Sequence, residues 1–254
     1  AKILGLWLAV SAPMGILGWV VYPALTPDRV ANPLGAGTTR VLLMTAGLVW
    51  IFVLAMWMVY REEGDLRWAT LRRRLRLYAP RDPKTGEPRR KLWLWLIPIV
   101  VLALAAQQTY GAILKNLWVR ALPFFAPPPG FDPAELFASP EMRPQLAGAW
   151  GFYGLFLVLL VFNILGEEFF FRGVLLPKMQ GAFGTWDWVA NGVLFGFFHL
   201  HEPRIILPAA LDGAILFALP VKRFRCTWLA IIAHAAANLI LVPLIFFVVL
   251  GLAN

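Results

Sequence analysis

Residues Val41–Tyr60 read VLLMTAGLVWIFVLAMWMVY, twenty positions without a charged side chain. At 1.5 Å per residue, a helix of this length covers about 30 Å, which is the thickness of the hydrocarbon core of a bilayer. Comparable apolar runs recur along the chain, whose 254 residues are 60% hydrophobic and 15% charged. Soluble domains are about 45–50% apolar, with about a quarter of their residues charged. The composition therefore predicts an integral membrane protein and argues against a soluble domain.

Seven apolar runs are separated by polar links, and two runs in the second half are shorter than the others. In chain order they are Ile3–Leu25, Val41–Tyr60, Leu92–Leu114, Ala147–Leu165, Trp188–His199, Ile205–Pro220 and Trp228–Leu252. The first run is longer than the apolar core of a signal peptide, so we interpret it as a span. Pro243 predicts a kink or break in the last run. The expected fold is an all-α polytopic membrane helix bundle of about seven transmembrane helices.

The net charge of +9 is concentrated in one segment. Between Arg61 and Lys91, eleven Arg and Lys residues face five Asp and Glu residues, a segment charge of about +6. Such a segment attracts anionic lipid headgroups and stays on the cytoplasmic side. The N-terminus and the basic loop Lys222–Arg225 then also lie inside. Apolar spans flank the basic segment closely on both sides, which argues against a nucleic-acid partner.

Two loops before residue 147 have a composition that predicts their structure. In the basic loop, apolar Trp68, Leu71, Leu75 and Tyr78 recur at spacings of three and four between arginines. This pattern predicts a short amphipathic interfacial helix that anchors the chain in the headgroup layer. The outer loop 115–146 contains five prolines between positions 123 and 133, which predict an irregular cap.

Charged and imidazole side chains at the apolar runs cluster in the last three-sevenths of the chain. Charges inside spans cost roughly 2.5–3.5 kcal/mol each on insertion scales, so such residues are functional candidates. The candidates are Glu167, Glu168, Arg172, His199, His234 and Asn238. Counting from the nearest inside-facing charge places Glu167, His199 and His234 roughly 13–18 Å below the inner surface. Matched depth on three helices predicts one shared site.

Helical spacing assigns these side chains to faces. Glu168 and Arg172 are four residues apart, so they can pair, and we interpret this pair mainly as structural support. Glu167 points about 100° away from Glu168 and remains available for chemistry. His234 and Asn238 are also four residues apart and point into one space.

The residue types indicate hydrolysis by activated water. A carboxylate shielded from bulk water can take a proton from water, histidines can orient that water, and an asparagine amide can stabilise an oxyanion. Phe195 lies one turn before His199 and can pack beside its ring. The motif-bearing runs contain no serine, and Cys226 lies at a loop edge, so neither predicts a nucleophile. His201 and Glu202 are predicted to be polar groups of a loop.

Three ordered motifs in this region resemble those of a known family. Glu167–Arg172 (EEFFFR), Phe195–His199 (FGFFH) and His234–Asn238 (HAAAN) resemble the EExxxR, FxxxH and HxxxN motifs of the CAAX-protease and bacteriocin-processing (CPBP) family, also called Abi or type II CAAX endopeptidases. The resemblance covers roughly residues 150–240. It divides the chain into residues 1–146, N-terminal membrane helices with two loops, and residues 147–254, a CPBP-type catalytic helix core.

The resemblance implies a glutamate-type intramembrane protease. Carried over by motif, Glu167 would activate water, His199 would position it, and His234 with Asn238 would hold the oxyanion. Glu168 and Arg172 would brace the site. Two histidines and a glutamate could ligate zinc, but no HExxH spacing is present. We therefore expect no metal cofactor, with zinc as the alternative.

The leading hypothesis is an endopeptidase that removes a C-terminal or juxtamembrane segment from a membrane-tethered protein or peptide. A catalytically silent membrane scaffold or immunity protein of the same fold is the alternative. A proton-coupled transporter using Glu167 and His199 is a third hypothesis, although no paired inverted halves are present. The Arg- and Ala-rich composition suggests a bacterial inner membrane. The sequence leaves the substrate and the oligomeric state open.

Overall fold

The computed structural model describes residues 2–128, 131 and 141–252. Within these residues the chain forms helices joined by turns and contains no β-strand, which confirms the all-α prediction. Positions 129, 130 and 132–140, which include part of the predicted proline-rich cap between 123 and 133, lie outside the described residues.

Ten helices organise the described part of the chain. They are α1 (Lys2–Leu25), α2 (Pro33–Glu63), α3 (Trp68–Arg74), α4 (Leu96–Ala105), α5 (Gly111–Ala121), α6 (Met142–Leu146), α7 (Trp150–Met179), α8 (Asp187–Phe198), α9 (Pro203–Phe224) and α10 (Trp228–Val249). A π-helical turn, Ala106–Tyr110, joins α4 to α5.

Five of the described helices are long and apolar enough to cross a bilayer, namely α1, α2, α7, α9 and α10. The predicted count of seven is therefore not confirmed. The run Trp188–His199 falls in α8, whose 12 residues cover only about 18 Å. The run Leu92–Leu114 begins in the 3-10 turn Arg90–Trp95 and continues through α4 into α5.

Helix α7 is longer than the apolar run that predicted it. It continues past Leu165 to Met179, and its segment Glu168–Leu175 is π-helical. Its first turns pack along α2. A side chain at Gly166 would meet the carbonyl oxygen of Leu48 on α2 at 2.9 Å, so glycine is needed for this close approach. The contact places the next residue, Glu167, inside the bundle.

Small residues bring α8 and α9 together. A Cβ at Gly192 would lie 2.5 Å from the amide nitrogen of Ala214, and one at Gly196 would lie 2.6 Å from the Ala210 Cβ. Both pairs are spaced by four residues, which is the small-xxx-small arrangement of close membrane helix pairs. The short helix α8 is thereby held against a spanning helix.

The predicted irregularity in the last helix is present. Regular α-helix runs over Trp228–Leu239 and again over Leu241–Val249, with a turn at Ile240. Pro243 lacks the amide hydrogen that would bond to Leu239, and its ring crowds that carbonyl. The break therefore falls where the proline requires it.

The basic loop contains the predicted helix α3, whose Trp68 is exposed. The loop is anchored against α7, because Leu75 is fully buried and Arg74 Nη1 donates to the carbonyl of Gly173 at 3.3 Å. Arg74 also binds Glu62 at the end of α2, with a 2.6 Å contact. The location of α3 in the headgroup layer stays a prediction.

Candidate active site

One cavity of about 880 Å³ lies between the helices that carry the three motifs. Glu167 from α7, His199 from the turn after α8, and His234 and Asn238 from α10 all line it. Phe195 lines it as well. The structure thus brings together the residues that were predicted to share one site.

Glu167 is buried, with 2% of its surface exposed. Its Oε1 atom accepts a hydrogen bond of 2.7 Å from Asn163 Nδ2, one turn earlier on α7. Among the described residues its Oε2 atom has no hydrogen-bond partner. A buried carboxylate with one oxygen fixed and the other available is suited to accept a proton from a small molecule in the cavity.

Asn238 lies in the same hydrogen-bond chain. Its Nδ2 donates to Asn163 Oδ1 at 2.8 Å, so Asn163 joins α10 to the carboxylate of Glu167. The motif resemblance predicted that Asn238 would hold the oxyanion, and one of its two N–H groups is used by this bond with Asn163. Asn163 was not among the site residues predicted from the sequence. Its position four residues before Glu167, on the same helical face, is the signal that could have identified it.

Glu168 forms a separate cluster behind the cavity wall. It is fully buried, and Arg172 Nη1 donates to its Oε1 at 3.3 Å, which is the predicted four-residue pair. His234 Nδ1 lies 2.9 Å from the same oxygen. An ionised carboxylate only accepts hydrogen bonds, so His234 donates through Nδ1 and its Nε2 remains for the cavity.

The guanidinium of Arg172 is fully buried, and three aromatic rings surround it. The centroids of Phe195, Phe217 and Phe171 lie 4.1, 5.0 and 5.7 Å from its central carbon. Arg172 Nη2 also donates to the carbonyl of Gly213 at 3.2 Å. Cation–π contacts and charge-assisted hydrogen bonds together make a buried arginine tolerable.

His199 follows α8 in the 3-10 turn His199–His201, so it lies beyond the helix rather than within a span as predicted. Its Nδ1 lies 2.9 Å from the carbonyl oxygen of Phe195, and their rings contact at 4.9 Å edge to face. Because a carbonyl can only accept, Nδ1 carries the proton. In the neutral ring, Nε2 is then the acceptor that can bind water.

A comparison with protein families agrees with this arrangement. Residues 149–240 match the family model described as type II CAAX prenyl endopeptidase Rce1-like. The matched range contains all three motifs, so the resemblance inferred from them is confirmed. No curated protein and no solved structure matches the chain.

The cavity also has polar wall residues that the sequence patterns did not assign to the site. His201 and Glu202, predicted to be loop groups, both line it. Asp212 on α9 lines it as well and accepts a 3.0 Å hydrogen bond from the hydroxyl of Tyr110. Tyr110 lies outside the matched range, so the N-terminal half contributes to the surroundings of the site.

Cys226 is separate from the cavity. It is a free, fully buried cysteine between α9 and α10. Burial raises the pKa of its thiol to about 11, so almost none of it is thiolate at neutral pH. This environment is unsuited to a nucleophile, as its sequence position predicted.

Zinc was the alternative cofactor, and the side chains can be tested for a ligand set. Within the described residues, no group of three or more His, Cys, Asp or Glu side chains is arranged to hold a metal ion. The absence of a metal cofactor stays a prediction.

Proposed function

We propose that this chain is an intramembrane endopeptidase that cuts a peptide bond of a membrane-tethered protein or peptide with water activated by Glu167. One observation carries the proposal. The buried Glu167 carboxylate, with one oxygen held by Asn163, shares a cavity with His199, His234 and Asn238. A structural ion pair would not need this set of groups around a space that can admit a peptide.

The first chemical step is addition of water to the scissile carbonyl. Glu167 takes one proton from a water molecule that His199 Nε2 helps to orient, and the resulting hydroxide adds to the carbonyl carbon. The carbonyl π electrons move to its oxygen, which becomes an oxyanion. Asn238 stabilises this charge through an N–H group, and His234 does so when both of its ring nitrogens carry a proton, because an N–H donor aimed at a developing oxyanion is typically worth 10²–10³ in rate.

The second step breaks the C–N bond. The proton held by Glu167 passes to the amide nitrogen, directly or through His199, and the leaving group departs as an amine. The oxyanion collapses to a carboxylic acid on the other product. Glu168 and Arg172 take no part in these transfers, and Glu168 orients the His234 ring through Nδ1. No metal ion is required in this sequence.

We further propose that the two basic loops face the cytoplasm and bind anionic lipid headgroups there. Backbone hydrogen bonds join them, because Arg81 N donates to Phe224 O at 2.9 Å and Thr227 N donates to Arg76 O at 3.1 Å. Their positive charges therefore lie on one side of the bundle, in keeping with the positive-inside rule. Labelling of Lys84→Cys from the periplasmic side of intact cells would contradict this orientation.

Comparative proteomics tests the proposed activity. Membranes from cells that produce the natural chain are compared with membranes from cells that produce Glu167→Ala at the same level. We expect uncut precursors, each longer by one defined segment, only in the variant. Identical proteomes with equal amounts of folded protein would contradict the protease and favour the scaffold.

A further inference from the structure

We propose that Asn163 is a positioning residue for the hydrolysis, because it decides which oxygen of Glu167 acts as the base and fixes the direction of the Asn238 amide. This inference rests on the proposed function. Its basis is the juxtaposition of three side chains from two helices. Asn163 and Glu167 lie one turn apart on α7, and Asn238 reaches them from α10.

The direction of each hydrogen bond follows from the chemistry of the end group. An ionised Glu167 can only accept, so Asn163 must turn its NH₂ group toward it, as in the 2.7 Å contact of Nδ2 with Oε1. The planar amide then presents Oδ1 on its other side. Asn238 must offer its own NH₂ group to that oxygen, as in the 2.8 Å contact. Turning either amide over would bring two acceptors or two donors together.

The hydrogen-bond chain from Glu167 through Asn163 to Asn238 has two consequences for the reaction. Glu167 Oε1 is occupied by Asn163, so Oε2, which lacks a partner among the described residues, is the oxygen that takes the proton from water. Asn238 has given one N–H to Asn163, so one N–H remains to stabilise the oxyanion. The base and the oxyanion donor thus have a fixed mutual geometry, although they belong to different helices.

A purely packing role for Asn163 would predict a different pattern. In that case a side chain of similar size would restore function, whatever its hydrogen bonds. Asn163→Leu preserves the approximate volume and removes both bonds. Asn163→Asp preserves the acceptor for Asn238 but replaces the donor that faces Glu167 with another oxygen. The two variants therefore separate volume from hydrogen bonding.

The experiment uses the full-length protein and the precursors that accumulate with Glu167→Ala. Cleavage of these precursors is measured together with the infrared bands of the Glu167 carboxyl, which are assigned from the difference spectrum between the natural protein and Glu167→Gln. We expect Asn163→Leu and Asn163→Asp each to cut at a tenth of the natural rate or less and to shift the Glu167 bands.

Asn191→Leu is the matched control. Asn191 is a fully buried asparagine that donates to the carbonyl of Phe171 at 3.0 Å and does not line the cavity. Its loss should lower the melting temperature but leave the Glu167 bands and the cleavage per folded molecule unchanged. This control separates general destabilisation from an effect on the base.

The outcomes distinguish this inference from the proposed function. Full cleavage by Glu167→Gln overturns both. In a second outcome, Glu167→Gln loses cleavage, but folded Asn163→Leu cleaves at the natural rate and its Glu167 bands are unshifted. This outcome overturns only the role of Asn163. Equal band shifts in Asn163→Leu and Asn191→Leu overturn it as well, because the effect is then not specific to the hydrogen-bonded chain.

Discussion

The two successive glutamates of α7, Glu167 and Glu168, have different surroundings. On the cavity side, Glu167 holds one neutral amide and lines an open space. On the bracing side, Glu168 is enclosed by a guanidinium and an imidazole, and its Oε1 accepts from both Arg172 and His234, while its Oε2 has no hydrogen-bond partner among the described residues. The two residues have the same chemistry, and only a helical rotation of about 100° separates them.

The difference shows how one residue type is assigned two roles. A carboxylate next to a buried cation is stabilised in its charged form and cannot easily change its protonation. A carboxylate next to a neutral amide keeps the freedom to take up and return a proton. We therefore expect substitutions of Glu167 to affect rate and substitutions of Glu168 to affect stability.

The largest effect is expected on the cavity side. Glu167→Gln should lower cleavage about 10²–10⁴-fold while the protein still inserts and folds, because the amide has nearly the shape of the acid but cannot act as a base. The measurement is cleavage of the accumulated precursors at equal amounts of folded protein.

Glu63→Gln is the matched control, because Glu63 pairs with Arg73 at the surface end of α2. It should cleave at the natural rate. More than about a tenth of the natural activity in Glu167→Gln would remove Glu167 from the base role, since general-base catalysis is worth more than that.

The next effect concerns the bracing side. Glu168→Gln leaves the fully buried Arg172 without its countercharge, and removing one partner of a buried pair typically costs about 3–5 kcal/mol. We expect a lower melting temperature in detergent and a lower yield of folded protein. A melting temperature equal to that of Glu63→Gln would show that the Glu168–Arg172 pair does not stabilise the folded protein.

A double variant measures the interaction between Glu168 and Arg172, and the expected effect is smaller. Arg172→Met alone leaves the Glu168 carboxylate without its countercharge. The combination of Glu168→Gln with Arg172→Met removes both charges. The double variant should be less destabilised than the sum of the single variants by about 0.5–3 kcal/mol, the usual range for residues in contact. Simple additivity of the melting shifts would mean that the two side chains do not interact.

Much of this arrangement could be predicted from sequence, because it depends on local periodicity. The apolar runs predicted helices, the four-residue spacing predicted the Glu168–Arg172 pair, and Pro243 predicted the break in α10. The grouping of Glu167, His199 and His234 followed from their matched depth and from the three motifs.

The features that could not be predicted depend on contacts between distant segments. Asn163 is a single amide in an apolar run, and its hydrogen bond with Asn238 of α10 becomes known only from the packing of the two helices. The cavity positions of His201 and Glu202 depend on how the turn after α8 is oriented. Run length alone also could not separate α8 from a spanning helix, because its support comes from the small residues of α9.

The smallest effect is expected from removal of metal ions, and it tests whether the two sides of α7 differ through protein groups alone. A zinc ion would need Glu167, His199 and His234 as ligands, but no such group of three is arranged for a metal among the described residues. Strong chelators should therefore leave precursor cleavage within about twofold of the untreated protein, a difference well below the contribution of a general base. Elemental analysis of the purified protein should find less than one zinc per chain. A tenfold or greater loss of cleavage that added zinc restores would contradict this prediction. It would make Glu167 a metal ligand, and its contrast with Glu168 would then depend on the ion rather than on Asn163.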